Sequence, residues 1–315
     1  MLKIVFMGTA DFAVPSLQLL SKNHNIVAVV TATDKPQGRG NKIIPSAVKN
    51  FAIENKIRVL QPEKLREKSF LKELDDINAD LYVVAAFRML PKCVWEKPRL
   101  GTINLHASLL PDYRGAAPIN WALINGEKKT GLTTFFIDEK IDTGKIILQT
   151  EEKIFNVDTF ETLHTRLKNK GARLLLKTVN KIEDGTHNIK EQDFSLQYNS
   201  APKINPENCK IDFTKTADEV FNFIRGLSHE PGAWMVINGI RFKIKMAFPI
   251  NLHILNIGQI ASDGKNFLYI GTGNGIIAVY LIQPEGGKTM KIKQFLAGYW
   301  SKVKIKKKNM EIFGF

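Results

Sequence analysis

The chain has 315 residues, 44% hydrophobic and 24% charged, with a net charge of +14. That length predicts two domains, and the composition is that of a soluble globular protein. No apolar run approaches the roughly 20 residues of a membrane-spanning helix, and Cys93 and Cys209 lie too far apart for a disulfide framework or a cysteine metal site; both read as small buried hydrophobes of a reducing cytoplasm.

Lys3–Met7 reads as a buried first strand rather than a leader, because its apolar run is short and ends in Gly-Thr-Ala-Asp. Asp11 is placed to cap the helix that follows, with Pro15 in its first turn. Asn25–Ala32 is a valine-rich strand, Pro45–Asn55 a helix, Ile57–Leu60 a short strand and Lys64–Leu74 an amphipathic helix. Asp80–Phe87, DLYVVAAF, is nearly all apolar, as expected of a parallel strand covered on both faces. Gly101–His106 is the next strand and Pro118–Asn125 a short helix; Gly131–Asp138 and Lys145–Thr150 close the sheet. In the long helix after it, Asp158 and Glu161 are spaced as a capping box, and Leu163, Leu167, Leu174, Val179 and Ile182 fall on one face. This alternation predicts an α/β domain, a Rossmann-like open and mostly parallel sheet, over residues 1–189.

Residues 190–206 have weak periodicity and read as a linker. The texture then changes. CKIDFTKTADEVFNFIRGL gives a short strand and a helix, and Asn238-Gly239 between two alternating runs predicts a hairpin. Short strands separated by Asp-Gly, Gly-Thr-Gly and Asn-Gly turns complete a small C-terminal β-barrel of OB-like type over residues 207–315. Pro206–Phe315 carries 15 Lys/Arg against 8 Asp/Glu, and the 205 residues before it carry 30 against 23. Per residue the C-terminal part is therefore the more basic, which suits a polyanion such as nucleic acid.

The turn after the first strand, MGTADF, has only Gly8 and lacks the further glycines by which a dinucleotide fold admits a pyrophosphate. A nicotinamide cofactor is disfavoured, and without a Walker-type loop neither ATP nor GTP is implied. Asn104 and His106 stand two apart at a strand's C-terminal end, so their side chains leave on one face, where open α/β sheets bind ligands. Asn104 supplies an amide donor for a developing oxyanion, and His106 a group that exchanges a proton near neutrality. Asp142, in the turn DEKIDTGKI, is a carboxylate able to orient and charge-stabilise that imidazole. Taken singly, the same residues also suit hydrogen-bonded strand ends and an ordinary Asx-turn. In SLLPDYRGAAP, Pro111 and Pro118 stiffen a loop, Gly115 permits a tight turn, and Arg114 either pins the loop or meets an anion. An ordinary surface turn fits that spacing too. DKPQGRGNKIIPSAVK, with Lys35, Arg39 and Lys42, reads as a basic loop reaching toward nucleic acid or as a solvated linker. The terminal KVKIKKKNMEIFGF is either a phosphate-backbone contact or a solvated tail.

Four stretches carry a family resemblance: KIVFMGTADFAVPSLQLL, DKPQGRGNK, NLHASLLPDYRGAAPINWALINGEKKTGLTTFFIDEKIDTGKII and IQPEGGKTM. Over nearly its full length the chain resembles the bacterial methionyl-tRNA formyltransferases. They belong to a wider class using 10-formyltetrahydrofolate, which also includes glycinamide ribonucleotide and nucleotide-sugar formyltransferases and formyltetrahydrofolate hydrolases. The core NLHxSLLPxxRG…DTG marks that class, and the Gly-Arg-Gly loop with a basic barrel marks the tRNA-acting branch. The resemblance implies catalytic roles for Asn104, His106 and Asp142, and folate binding by Ser108, Leu109, Leu110 and Pro111. It puts Arg39, flanked by Lys35 and Lys42, against the acceptor end of initiator methionyl-tRNA. It further implies 10-formyltetrahydrofolate as co-substrate, no metal, no membrane, and a monomeric cytoplasmic enzyme. One departure is AAFRMLP, where Phe87 and Arg88 replace the family's usual Tyr-Gly beside the pterin pocket and the segment is a residue shorter. The alternatives are formyl transfer to a small amine such as a nucleotide sugar, and a non-enzymatic RNA-binding protein on a degenerate Rossmann scaffold.

Overall fold

The computed structural model describes residues 1–37, 42–195, 197–300 and 310–311, with side chains left undescribed at 35–37, 42–43 and 310–311. Arg39 and the lysines of the terminal KKK run lie outside the described residues, and of Lys35 and Lys42 only the backbone is described. The chain divides into two compact units. The first is Met1–Gly115, Lys129–Lys153 and His164–Ser200; the second is Ala116–Lys128, Ile154–Leu163 and Ala201–Phe315.

In chain order the elements begin with β1 (Lys3–Gly8), α1 (Val14–Ser21), β2 (Asn25–Val30), β3 (Lys35–Gln37), β4 (Lys42–Ile44), α2 (Ala47–Glu54), β5 (Val59–Leu60) and α3 (Lys68–Ile77). Next come β6 (Leu81–Ala85), α4 (Lys92–Trp95), β7 (Thr102–His106), β8 (Arg114–Gly115), α5 (Pro118–Ile124), β9 (Lys129–Phe136), β10 (Ile146–Lys153) and α6 (Phe160–Glu183). The remainder are β11 (Ser200–Ala201), α7 (Ala217–Gly226), β12 (Trp234–Ile237), β13 (Ile240–Ile250), β14 (Ile260–Ser262), β15 (Leu268–Gly271), β16 (Ile276–Pro284), β17 (Met290–Lys291), α8 (Ile292–Gly298) and β18 (Met310–Glu311).

The first unit is built on a seven-stranded sheet in the order β10-β9-β7-β6-β1-β2-β5. Five strands are parallel, and β9 and β10 run antiparallel at one edge. All five residues of β6 are buried, which is why its sequence lacks alternation. One face packs Val5, Met7, Val30, Leu74, Tyr82, Val84 and Val94 together. On α6, Gly171 lies against Leu105 and Leu132, and Thr178 Oγ1 meets Thr134 Oγ1 at 2.8 Å. Because β2 and β6 flank β1 on opposite sides, the chain reverses direction across the sheet there, at the strands' C-terminal edge.

Several local expectations are corrected. Asp11 does not cap a helix: it sits inside a 3-10 turn, and its carboxylate reaches Lys168 at 2.9 Å and His164 at 3.6 Å. Helix α6 starts at Phe160, so Thr159 rather than Asp158 takes the cap position. Asp158 instead accepts from the Phe155 backbone N–H at 2.7 Å and from Thr162 Oγ1 at 2.8 Å. Cys209 is buried, which pushes its thiol up to about 11, whereas Cys93 is exposed. Residues 116–128 and 154–163 cluster with the second unit.

In the second unit, β12 and β13 form the expected hairpin. Asn238 and Gly239 both take positive φ, +49° and +80°, the type I′ geometry that matches strand twist. The sheet runs β12-β13-β16-β15-β14-β18, a half-barrel of mainly antiparallel strands with β17 paired to β16. Its core joins α7, capped by a Thr216–Glu219 box, to Phe242, Ile244, Ile282 and Phe295. Fully buried aromatics such as Phe242 and Phe295 contribute roughly 2–3 kcal/mol each. Asn120 Nδ2 on α5 donates to Gly226 O on α7 at 2.8 Å. No helix among the described residues is long and apolar enough to cross a membrane.

Between β9 and β10 the chain passes so close to itself that a Cβ on Gly144 would stand only 1.7 Å from Phe136 O. A backbone atom cannot yield as a side-chain tip can. Gly144→Ala is therefore expected to lower stability by about 3 kcal/mol and to displace the 138–144 turn. A urea midpoint equal to wild type would show that the turn yields freely.

Candidate active site

The connections after β1, β6 and β7 leave the C-terminal edge of the parallel strands, whereas the turn between β9 and β10 starts beside Thr102 at the other end of β7 and brings Asp142 back to His106. Asn104 and His106 end β7, paired through Val84 on one side and Phe135 and Thr133 on the other. Strand alternation puts both on one face. The Asn104 carboxamide is half-buried and makes no hydrogen bond to a described residue, so its N–H groups remain available. His106 is buried, with 7% of its side chain exposed.

The imidazole is held by backbone. His106 Nε2 lies 2.8 Å from Tyr113 O, and because a carbonyl only accepts, that nitrogen carries a proton. The other nitrogen, Nδ1, stands 3.7 Å from Asp142 Oδ2, near enough for charge to act and too far for a direct hydrogen bond. The orienting contact is thus Tyr113 O, and Asp142 is the neighbouring charge. Tyr113 and Asp142 both occupy the left-handed region, with φ of +57° and +54°.

The loop after β7 is fastened from beneath. Thr133 Oγ1 donates to Ser108 O at 2.7 Å and accepts from Leu110 N at 3.1 Å, and Gln149 Nε2 donates to Leu110 O at 2.8 Å. Ser108 is fully buried, its Oγ committed to Asp112 O at 2.5 Å. Leu110 packs with Phe135 and Ile146, and Leu109 lies against Gly131. Of the four expected folate contacts, Ser108 and Leu110 therefore build the loop, while Leu109 and Pro111 stay half-buried at its surface.

Asp142 is held at both ends. Its Oδ2 accepts from Gly115 N at 2.9 Å, and its backbone O accepts from Arg114 Nε at 3.1 Å and Gln192 Nε2 at 2.9 Å. The same Gln192 amide donates to Gly144 O at 2.8 Å, while its Oε1 accepts from Arg114 Nη2 at 2.5 Å. Arg114 also stacks over Phe194, 4.5 Å from the ring centre, and burial pushes its guanidinium below the ordinary value against the opposing pull of Asp142. Periodicity gave no sign of Gln192, which falls in the stretch expected to be a linker. A polar side chain in an aperiodic segment carries no sequence signal for burial.

Beside the site, Ala86 also has positive φ, +49°, and Arg88 turns away to donate to Pro62 O and Glu63 O at 2.6 and 2.8 Å. Arg88 thus braces the segment after β6 against residues 62–63. Among the described residues no group of three or more His, Cys, Asp or Glu side chains could hold a metal ion. A buried imidazole of fixed tautomer with a carboxylate beside it, and a free carboxamide on the same strand, can stabilise a carbonyl oxyanion and move a proton.

The chain is similar to known proteins over most of its length. Residues 2–179 match the model of the family described as "Formyl transferase", and residues 203–300 that of "Formyl transferase, C-terminal domain". A methionyl-tRNA formyltransferase of Flavobacterium johnsoniae is 49% identical over 303 residues, covering 94% of this chain and 96% of its own. One from Bacteroides fragilis is 45% identical over 308 residues, covering 95% of each. Among solved structures, the N-formyltransferase from Helicobacter canadensis in complex with folinic acid and dTDP-3-aminofucose superposes with a TM-score of 0.65 at 27% identity, covering 89% of this chain and 99% of that one. With both domain models matched in order and relatives of nearly equal length, the chain belongs to the formyl transferase family.

Proposed function

We propose that this chain transfers the formyl group of 10-formyltetrahydrofolate to the α-amine of methionyl initiator tRNA, as a monomeric cytoplasmic enzyme. The observation that carries the chemistry is the pairing of a tautomer-fixed His106 with Asp142 Oδ2 at 3.7 Å, on the strand that also ends in Asn104. The acceptor follows from relatives at 45–49% identity over nearly the whole chain, each a methionyl-tRNA formyltransferase by name.

The amine, with an ordinary pKa near 8, is neutral often enough to attack. Its nitrogen bonds to the formyl carbon, the bond from that carbon to N10 of the folate breaks, and one amine proton ends on N10. Asn104 donates to the oxyanion of the tetrahedral intermediate. With Nε2–H committed to Tyr113 O, Nδ1 of His106 handles the proton together with a water held by Asp142. Leu109, Pro111 and the braced backbone from Ser108 to Leu110 border the folate. Residues 1–189 hold this chemistry.

Residues 207–315 and the loop bearing Lys35, Arg39 and Lys42 contact the tRNA. Lys210, Lys215, Lys265, Lys288 and Lys293 are exposed and form no ion pair among the described residues, so their charge is open to phosphate.

Asn104→Ala and His106→Ala are each expected to lower kcat about a hundredfold or more in a formylation assay with charged initiator tRNA. Near wild-type turnover would remove that residue from the chemistry. Association with tRNA should weaken steeply between about 50 and 200 mM salt, and Arg39→Ala should raise KM for tRNA. If Arg39→Ala behaves as wild type and tRNA does not bind, a small amine such as a nucleotide sugar is the acceptor instead.

A further inference from the structure

Gln192 lies outside every element that the formyl-transfer chemistry names, yet it is 5% exposed and its amide is fully engaged. Its position is fixed two residues upstream, where Lys190 exchanges both backbone hydrogen bonds at 2.8 Å with Ile146, the first residue of β10. From there the side chain enters the turn between β9 and β10. Both protons of Nε2 go to carbonyls of that turn, Asp142 O and Gly144 O, and Oε1 takes the Arg114 guanidinium. Arg114 reaches back to Asp142 O as well, closing a ring of hydrogen bonds around the Asp142 peptide.

A glutamine suits this place because it alone offers two donors and an acceptor on one planar group of that length. The two carbonyls need donors and the guanidinium needs an acceptor. Glutamate would supply the acceptor and face both carbonyls with negative charge. Methionine would fill the space and satisfy none of them. The consequence is geometric: Asp142 sits at φ +54°, a conformation its own backbone disfavours, and the clamp on its carbonyl holds it there. Held so, its carboxylate accepts from Gly115 N and faces His106 Nδ1.

We infer that Gln192 is a positioning residue for the formyl-transfer reaction, setting through the carbonyls of Asp142 and Gly144 where the Asp142 carboxylate stands relative to His106. The inference rests on the reading of Asp142 as catalytic, and the experiment keeps the two apart. Turnover is measured for Gln192→Met, Asp142→Asn and the double variant with 10-formyltetrahydrofolate and charged initiator tRNA. Folded, binding-competent protein is quantified by the thermal shift that 5-formyltetrahydrofolate produces. In Gln192→Met, kcat should fall at least about tenfold, toward the roughly hundredfold that a misplacement of about 1 Å costs. KM for both substrates should stay within about threefold. The double variant should be no slower than Asp142→Asn, because two changes acting through one group do not add. Gln192→Glu, which retains the partner of Arg114, should keep the thermal shift and lose turnover similarly.

Wild-type kcat in Gln192→Met beside an inactive Asp142→Asn would overturn the inference alone, as would losses that multiply in the double variant. Normal turnover in Asp142→Asn would remove the catalytic reading of Asp142 and the inference with it. Loss of the folded state in both Gln192 variants would assign the residue to stability only.

Discussion

A carbonyl oxygen has no proton to give, and that fact organises the site. Tyr113 O, 2.8 Å from His106 Nε2, obliges that nitrogen to carry the proton and leaves Nδ1 to face Asp142. Aiming the carbonyl there requires Tyr113 in the left-handed region. Its own N–H is taken by Asn199 O at 2.7 Å, and Asn199 N in turn donates to Asp112 Oδ1 at 2.9 Å. Two residues later the same loop presents Gly115 N to the Asp142 carboxylate. One loop therefore sets both the tautomer of the imidazole and the place of the acid, with no direct bond between them.

Such a loop is costly to hold. Ala86, Tyr113 and Asp142 are non-glycine residues at positive φ, each at a cost of order 1 kcal/mol or more. The offset comes from below. Leu110 is buried against Phe135 and Ile146, which is worth roughly 2 kcal/mol, and Thr133 and Gln149 satisfy the backbone groups of Ser108 and Leu110. Ser108 and Leu110 thereby fix the backbone of the loop rather than its outer surface.

What the sequence made legible is what repeats locally. The continuous apolar run of β6, the alternation either side of Asn238-Gly239 and the shared face of Asn104 and His106 all follow from strand geometry. Non-local pairing stayed hidden. Gln192 bonds to carbonyls about fifty positions away, and nothing in EQDFSLQY marks one glutamine as buried. Arg225, buried in the second unit, is satisfied by Phe155 O and Asp158 O, which ties residues 154–163 to α7 despite a sequence that reads as the run-up to α6. Asp11 had the residue type of a cap but found Lys168 across 157 positions. Tyr113 and Asp142 lack the glycine that advertises a left-handed turn, because hydrogen bonds around each supply what the residue type does not.

Charge was legible in amount and not in kind. The residues before Pro206 and those from Pro206 onward carry the same net charge, and each part holds both paired and unpaired cations. In the first unit Lys49 pairs with Asp34, Lys168 with Asp11, and Arg166 and Lys170 share Glu152. A cation with a carboxylate already at hydrogen-bond distance gains little from a phosphate, since it exchanges one anion for another. The unpaired surface lysines of the C-terminal unit hold only diffuse counterions, whose release on meeting a polyanion is favourable. Such cations occur in the first unit too, Lys56, Lys64, Arg173 and Lys177 among them, so what favours the C-terminal stretch as a surface for a polyanion is density: the same net charge on 110 residues as on the 205 before them.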